Sequence, residues 1–147
     1  MDIVVPENSR VYARNLLGRL RHLMFLARQR ELSPLDISPR QIYVLFLLVS
    51  IGHKATLAEL AKFTDRGIGT ISVQMARMEK DGLVKKFREK PKSSLLKFEI
   101  TEKGFDIYKA ANEMKSEQEI MSVLSEKECQ LFISMLKKLI TKAETYK

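Results

Sequence analysis

The side chains with usable chemistry in this sequence are hydrogen-bond donors and cations rather than nucleophiles. Thr70, Ser72, Gln74 and Arg77 lie within one short segment, just after Arg66. Glutamine can pair with adenine and arginine with guanine or a phosphate, while short hydroxyls mostly meet phosphate or thymine. A polar solvated face has the same composition and is the plainer alternative. Arg88, Lys90 and Lys92 crowd a second polar stretch, residues 88–94, which also holds Pro91 and two serines. Arg10, Arg14, Arg21 and Arg28 recur at helical spacing near His22. Arg14, Arg21 and His22 suit one wall of a site for a small aromatic or anionic effector. A solvated flank, paired with Glu113, Glu117 or Glu119, is the other reading of that stripe.

Other chemistries find no residues to carry them. No Ser/His/Asp or Cys/His arrangement, carboxylate pair with a cleft or phosphate-cradling glycine loop is present, so an enzyme is not expected. His22 and His53 have no ligand at metal spacing, and no cofactor is implied. Cys129 is the single cysteine and cannot form an internal disulfide. It falls on an apolar helical stripe, where packing rather than reactivity is expected. The longest apolar run, residues 42–51, is too short to span a bilayer. The N-terminus lacks a basic region followed by an apolar core. A cytoplasmic protein with no membrane partner is expected.

Net charge is +8 over 147 residues, and it is unevenly placed. Residues 9–40 hold seven Arg/Lys against two acids, residues 53–104 twelve against seven, and residues 105–147 seven of each. Two basic segments beside a neutral C-terminal quarter favour a polyanionic partner, and nucleic acid is the usual one.

The positioning elements follow from periodicity and caps. A long helix is expected over residues 9–30, with Leu16, Leu17, Leu20, Leu23, Met24 and Ala27 on one face. Ser38, Pro39 and Gln41 open the next helix, whose apolar run from Tyr43 to Ile51 predicts a buried spine ended by Gly52. Thr56 and Glu59 form another capping box, opening a short helix that buries Leu57, Leu60 and Ala61. After a glycine-containing turn, a helix over 68–80 buries Ile71, Met75 and Met78 and presents the polar face already described. That is a helix-turn-helix. Beyond Gly82 the period changes to two, and Leu83–Phe87 with Leu96–Ile100 form a β-hairpin tipped by the basic stretch. Thr101 caps a further helix carrying Phe105, Tyr108, Ala111 and Met114. After a break near 116–125, Ser125 and Glu128 cap the last helix. Its apolar stripe is Cys129, Phe132, Ile133, Leu136, Leu139, Ile140 and Ala143.

In this order the elements resemble the MarR (multiple antibiotic resistance regulator) family. The residues carrying the likeness are Leu57-Ala58-Glu59-Leu60-Ala61, then Thr70 with Arg77-Met78-Glu79-Lys80-Asp81-Gly82-Leu83-Val84, then Ile100-Thr101-Glu102-Lys103-Gly104. The resemblance implies a mainly α (α+β) fold within a single domain. Residues 38–104 would form the winged helix-turn-helix, and residues 9–37 and 105–147 the dimerisation helices. It implies a homodimer that binds double-stranded DNA at a pseudo-palindrome as a transcriptional regulator, more often a repressor. Arg66, Thr70, Ser72, Gln74, Arg77, Arg88, Lys90 and Lys92 are then the DNA-binding candidates. The likeness departs at the wing tip, where members carry Asp-Arg-Arg and this chain has Lys92-Ser93-Ser94. The pair that directs an arginine to the minor groove is missing, so the wing is expected to grip rather than read. A nonspecific architectural DNA binder and a winged-helix protein-interaction module are the alternatives.

Overall fold

The computed structural model describes residues 6–147. In chain order these form α1 (Arg10–Leu32), a 3-10 turn (Ser33–Leu35), α2 (Pro39–Ser50), β1 (Lys54–Thr56), α3 (Leu57–Thr64), α4 (Ile68–Lys80), β2 (Val84–Phe87), β3 (Lys97–Ile100), α5 (Glu102–Asn112), α6 (Ser116–Met121) and α7 (Glu126–Glu144). They fall into two compact units, residues 28–114 and residues 6–27 with 115–147.

Local chemistry sets the ends of these helices. Ser38 with Gln41, Thr56 with Glu59 and Ser125 with Glu128 each close a reciprocal capping box, which satisfies two backbone donors at a helix start. Gly82, at φ +75°, turns the chain from α4 into β2.

The continuous unit, 28–114, holds the core. Val44, Leu45 and Leu48 of α2 pack with Leu60 of α3, Ile71, Met75 and Met78 of α4, and Val84, Phe98 and Ile100 of the sheet. One expectation needs correcting. The apolar run of α2 predicts burial all round, but Tyr43 and Phe46 are exposed, their rings stacked at 6.3 Å. Composition shows that a segment is apolar, not how many sides of it find neighbours.

A strand with no sequence signal, β1, joins the hairpin to make an antiparallel sheet in the order β1-β3-β2. Lys54 stands opposite Glu99 across β1 and β3, and Phe87 opposite Lys97 across β2 and β3. Ala55 of β1 is fully buried.

The exit of α4, the root of β2 and the entry of α5 meet in one polar junction. The Thr101 hydroxyl donates to the Gly82 carbonyl at 2.6 Å and accepts from the Gly104 N–H at 3.0 Å. The Thr101 N–H donates to the Leu83 carbonyl at 3.0 Å, and the Lys103 ammonium to the Asp81 carbonyl at 2.7 Å. Gly104 is buried, and a Cβ there would collide with the Leu83 carbonyl oxygen.

The other unit has a different character. Among its described residues none is fully buried. Cys129, Phe132 and Leu136 of α7 are half-buried, whereas Ile133, Leu139 and Ile140 of the same stripe are exposed.

Gly104→Ala tests the junction. The opposing atom is backbone, so the added methyl must push α5 away from the root of β2. Overpacking of this kind costs on the order of 1–3 kcal/mol. Urea unfolding should show a lower midpoint, and an unchanged midpoint would contradict the close approach.

Candidate nucleic-acid interface

The outer surface of α4 follows from its buried face. With Ile71, Met75 and Met78 directed inward, Gly69, Val73, Ala76 and Lys80 run along the crest, within about 50° of the outward direction. Thr70 and Arg77 flank the crest on one side and Ser72 on the other. All are exposed, and among the described residues no hydrogen bond or ion pair holds the side chain of Thr70, Ser72 or Arg77.

Gln74 is placed differently from the other candidates. It is half-buried towards the inner side of α4, and its Nε2 donates to the Arg40 carbonyl at 3.0 Å, in the first turn of α2. A bidentate adenine contact needs the carboxamide oxygen and one N–H turned outward, whereas here the amide is turned towards α2. In this geometry Gln74 ties α4 to α2. Its polarity is visible in the sequence; its direction is not.

The wing supplies cations and the bonds that hold its tip. Arg88 donates to the Ser93 carbonyl at 2.7 Å, while the Ser93 N–H donates to the Lys90 carbonyl and its hydroxyl accepts from the Leu95 N–H. Ser93 thus organises the turn. Lys97 pairs with Glu89 at 2.8 Å across the base of the tip. The Lys97 hydrogen bond, then its charge, holds the Glu89 carboxyl below the usual glutamate range. That contact contributes above the ordinary carboxylate pKa and is lost as pH falls through the depressed value. Lys90 and Lys92 remain exposed at the tip, and Arg66 is exposed just before α4.

Further cations were not singled out by sequence reasoning. Lys85 pairs with Glu99 at 3.3 Å, and Lys86 reaches Glu79 at 3.7 Å and lies over the Phe98 ring. They are neighbours in β2 and so lie on opposite faces of the strand, and both are exposed. Lys80 extends the basic surface along the α4 crest.

The effector candidates belong to the other unit. Arg14, Arg21 and His22 are exposed on α1. An apolar groove of about 500 Å³ in this unit is lined by Ala13, Leu16, Leu17, Arg19, Leu20, Leu23 and Phe132. None of the three candidates lines it; Arg19 is its one cation. Arg28, of the same arginine stripe, has a structural task instead. It pairs with Glu31 at 2.8 Å and donates to the Ala111 carbonyl at 3.1 Å, at the end of α5. Among the described residues no group of three or more His, Cys, Asp or Glu is placed to hold a metal ion, and no single helix is long and apolar enough to cross a membrane.

Solved structures share this architecture over almost the whole chain. AbsC, a MarR family transcriptional regulator from Streptomyces coelicolor, is 19% identical with a TM-score of 0.83, covering 98% of this chain and 99% of its own. The fold is that of the MarR regulators. A mutant MarR from E. coli complexed with operator DNA is 21% identical at TM-score 0.81, covering 95% of this chain and 99% of that one. The organohalide-sensing regulator RdhR, bound to 2,4-dichlorophenol, is 23% identical at 0.81, covering 97% and 88%. No family model matches the sequence, and no curated protein matches it. The MarR fold is thus carried here by packing and element order, at sequence identities below a quarter.

Proposed function

We propose that this chain is a member of the MarR family and a sequence-specific DNA-binding transcriptional regulator. It acts in the cytoplasm as a homodimeric repressor on a pseudo-palindromic operator, and a small aromatic or anionic effector releases it. The observation that carries this reading is the outer surface of α4. Thr70, Ser72 and Arg77 are exposed and unengaged there, on a helix continuous with a wing whose Lys90 and Lys92 are also exposed. A helix of this size fits the major groove, about 12 Å wide, and the wing supplies phosphate contacts. That a mutant MarR of the same fold is known in complex with operator DNA supports the reading.

Selection from random duplexes tests it directly. A selected site should be a two-fold repeat with half-sites about one helical turn apart, and unrelated duplex should compete poorly. Lys90→Ala with Lys92→Ala should weaken binding to all duplexes alike and flatten the salt slope by about one unit per lost phosphate contact. Equal competition by any duplex would favour the architectural alternative. No binding at low salt would favour the protein-interaction module.

Dimerisation is supported by surface that one chain leaves uncovered. Leu131, Ile133, Met135, Leu139 and Ile140 of α7 and Leu16, Leu17 and Leu23 of α1 are all exposed, with Leu131 at 62%. Apolar area gains about 25 cal/mol per Å² on burial, before association costs. A second copy seated on these helices supplies that cover. Deleting residues 128–147 should give aggregated or unfolded protein by size-exclusion chromatography and circular dichroism. A folded, DNA-binding monomer from that truncation would end the dimer proposal.

Release by an effector requires a molecule that binds two spacings of the half-site helices unequally. Salicylate-like anions at fixed ionic strength should raise the apparent Kd for the operator. Arg14→Ala and Arg21→Ala should lose that response while keeping DNA affinity. A silent panel of anions would leave those arginines as a solvated flank.

A further inference from the structure

The crest of α4 is the part of the helix that enters a groove most deeply, and apart from Lys80 at its end it offers no hydrogen-bonding side chain. Val73 lies about 15° from the direction opposite the buried face and is 55% exposed. One helical turn before it stands Gly69 and one turn after it Ala76, so its isopropyl group is the highest point of a low ridge.

Gly69 makes this arrangement hard to explain by folding alone. Its φ is not in the left-handed region, and a Cβ built there meets nothing within 4 Å. Among the described residues nothing needs a glycine at that point, and alanine is the better helix former. A bare backbone on the outward face is useful when something outside must come close.

Resting on the DNA-binding reading above, we propose that Val73 reads the C5-methyl group of a thymine in each half-site, with Gly69 and Ala76 letting the helix seat closely enough for that contact. The major-groove edge presents acceptors, donors and one apolar feature, the thymine methyl. An apolar crest has no match among the acceptors and donors. Thr70 and Arg77 on the flank then hydrogen-bond the neighbouring base edges or phosphates. A protein partner would also accept an exposed valine. The exposed cations Arg66, Arg77 and Lys80 on or just before the same helix, with Lys90 and Lys92 of the wing, favour the polyanion.

The test uses the full-length protein and its selected operator, with each thymine replaced in turn by deoxyuridine, which removes only the methyl. At one thymine per half-site, affinity should fall about fourfold, the worth of one buried methyl-sized group. Val73→Ala should bind the thymine and deoxyuridine operators equally, at the level of wild type on an operator in which the contacted thymine of both half-sites is replaced. Its thermal unfolding and salt slope should be unchanged, because the side chain is exposed and uncharged. Gly69→Ala should fold at least as stably and yet bind the operator more weakly. Wild-type indifference to deoxyuridine at every position would overturn the proposal, as would a Val73→Ala protein that still discriminates. Unchanged operator affinity in Gly69→Ala would overturn the close seating on which the contact depends. Failure to bind any duplex at low salt would remove the DNA reading itself, a result separate from these.

Discussion

The winged unit depends on the junction where three chain segments share one set of carbonyls. The three residues between α4 and β2 present the Asp81, Gly82 and Leu83 oxygens, and Lys103 and Thr101 occupy them from the start of α5. The N–H groups of this turn already serve the end of α4, since Asp81, Gly82 and Leu83 donate to the Arg77, Glu79 and Met78 carbonyls, which leaves the turn's own carbonyls to find partners elsewhere. Here one short segment both satisfies them and begins the next helix. The bonds therefore fix three directions together, those of α4, the hairpin and α5. Gly104 follows from this geometry, since any side chain would stand where the Leu83 carbonyl must be. The Ile100–Gly104 segment that carries part of the family likeness is a structural joint rather than a binding motif.

Polar groups of the winged unit divide into those that hold segments together and those left unengaged. Gln74 is drawn into the first turn of α2, Arg88 into the wing tip and Arg28 into the end of α5. Each is a long side chain whose donors meet a backbone carbonyl and stiffen a place where elements meet. Thr70, Ser72 and Arg77 make no such contact. Preorganised support beside unengaged donors is the arrangement a reading surface requires, because neighbours already hold its shape.

What was legible in the sequence was what short-range chemistry decides. Ser38 with Gln41, Thr56 with Glu59 and Ser125 with Glu128 marked helix starts because each box closes within four residues. The hairpin was legible because alternation over 83–87 and 96–100 differs from the helical period on either side. The three residues of β1 are too few to show a period, and pairing with β3 alone makes them a strand. Tyr43 and Phe46 read as core because hydrophobicity does not report the number of neighbours. Gln74 read as outward because type does not report direction. Val73 gives no sign of itself in the sequence, because an apolar residue in an amphipathic helix reads as core until its neighbours are known.

The Arg28 contact has a consequence for how the chain comes together. One unit is continuous in sequence, whereas the other is assembled from the two ends of the chain. Pairing distant ends ordinarily requires closing a long loop, at an entropic cost of about 4 kcal/mol for some eighty residues. Arg28 and Ala111 are 83 residues apart and joined by a hydrogen bond. Once the continuous unit is folded that loop is closed, and what remains between α1 and α7 is short. During synthesis the winged unit has all its residues while α7 is still being made, so the uncovered apolar stripe of that helix follows the winged unit out.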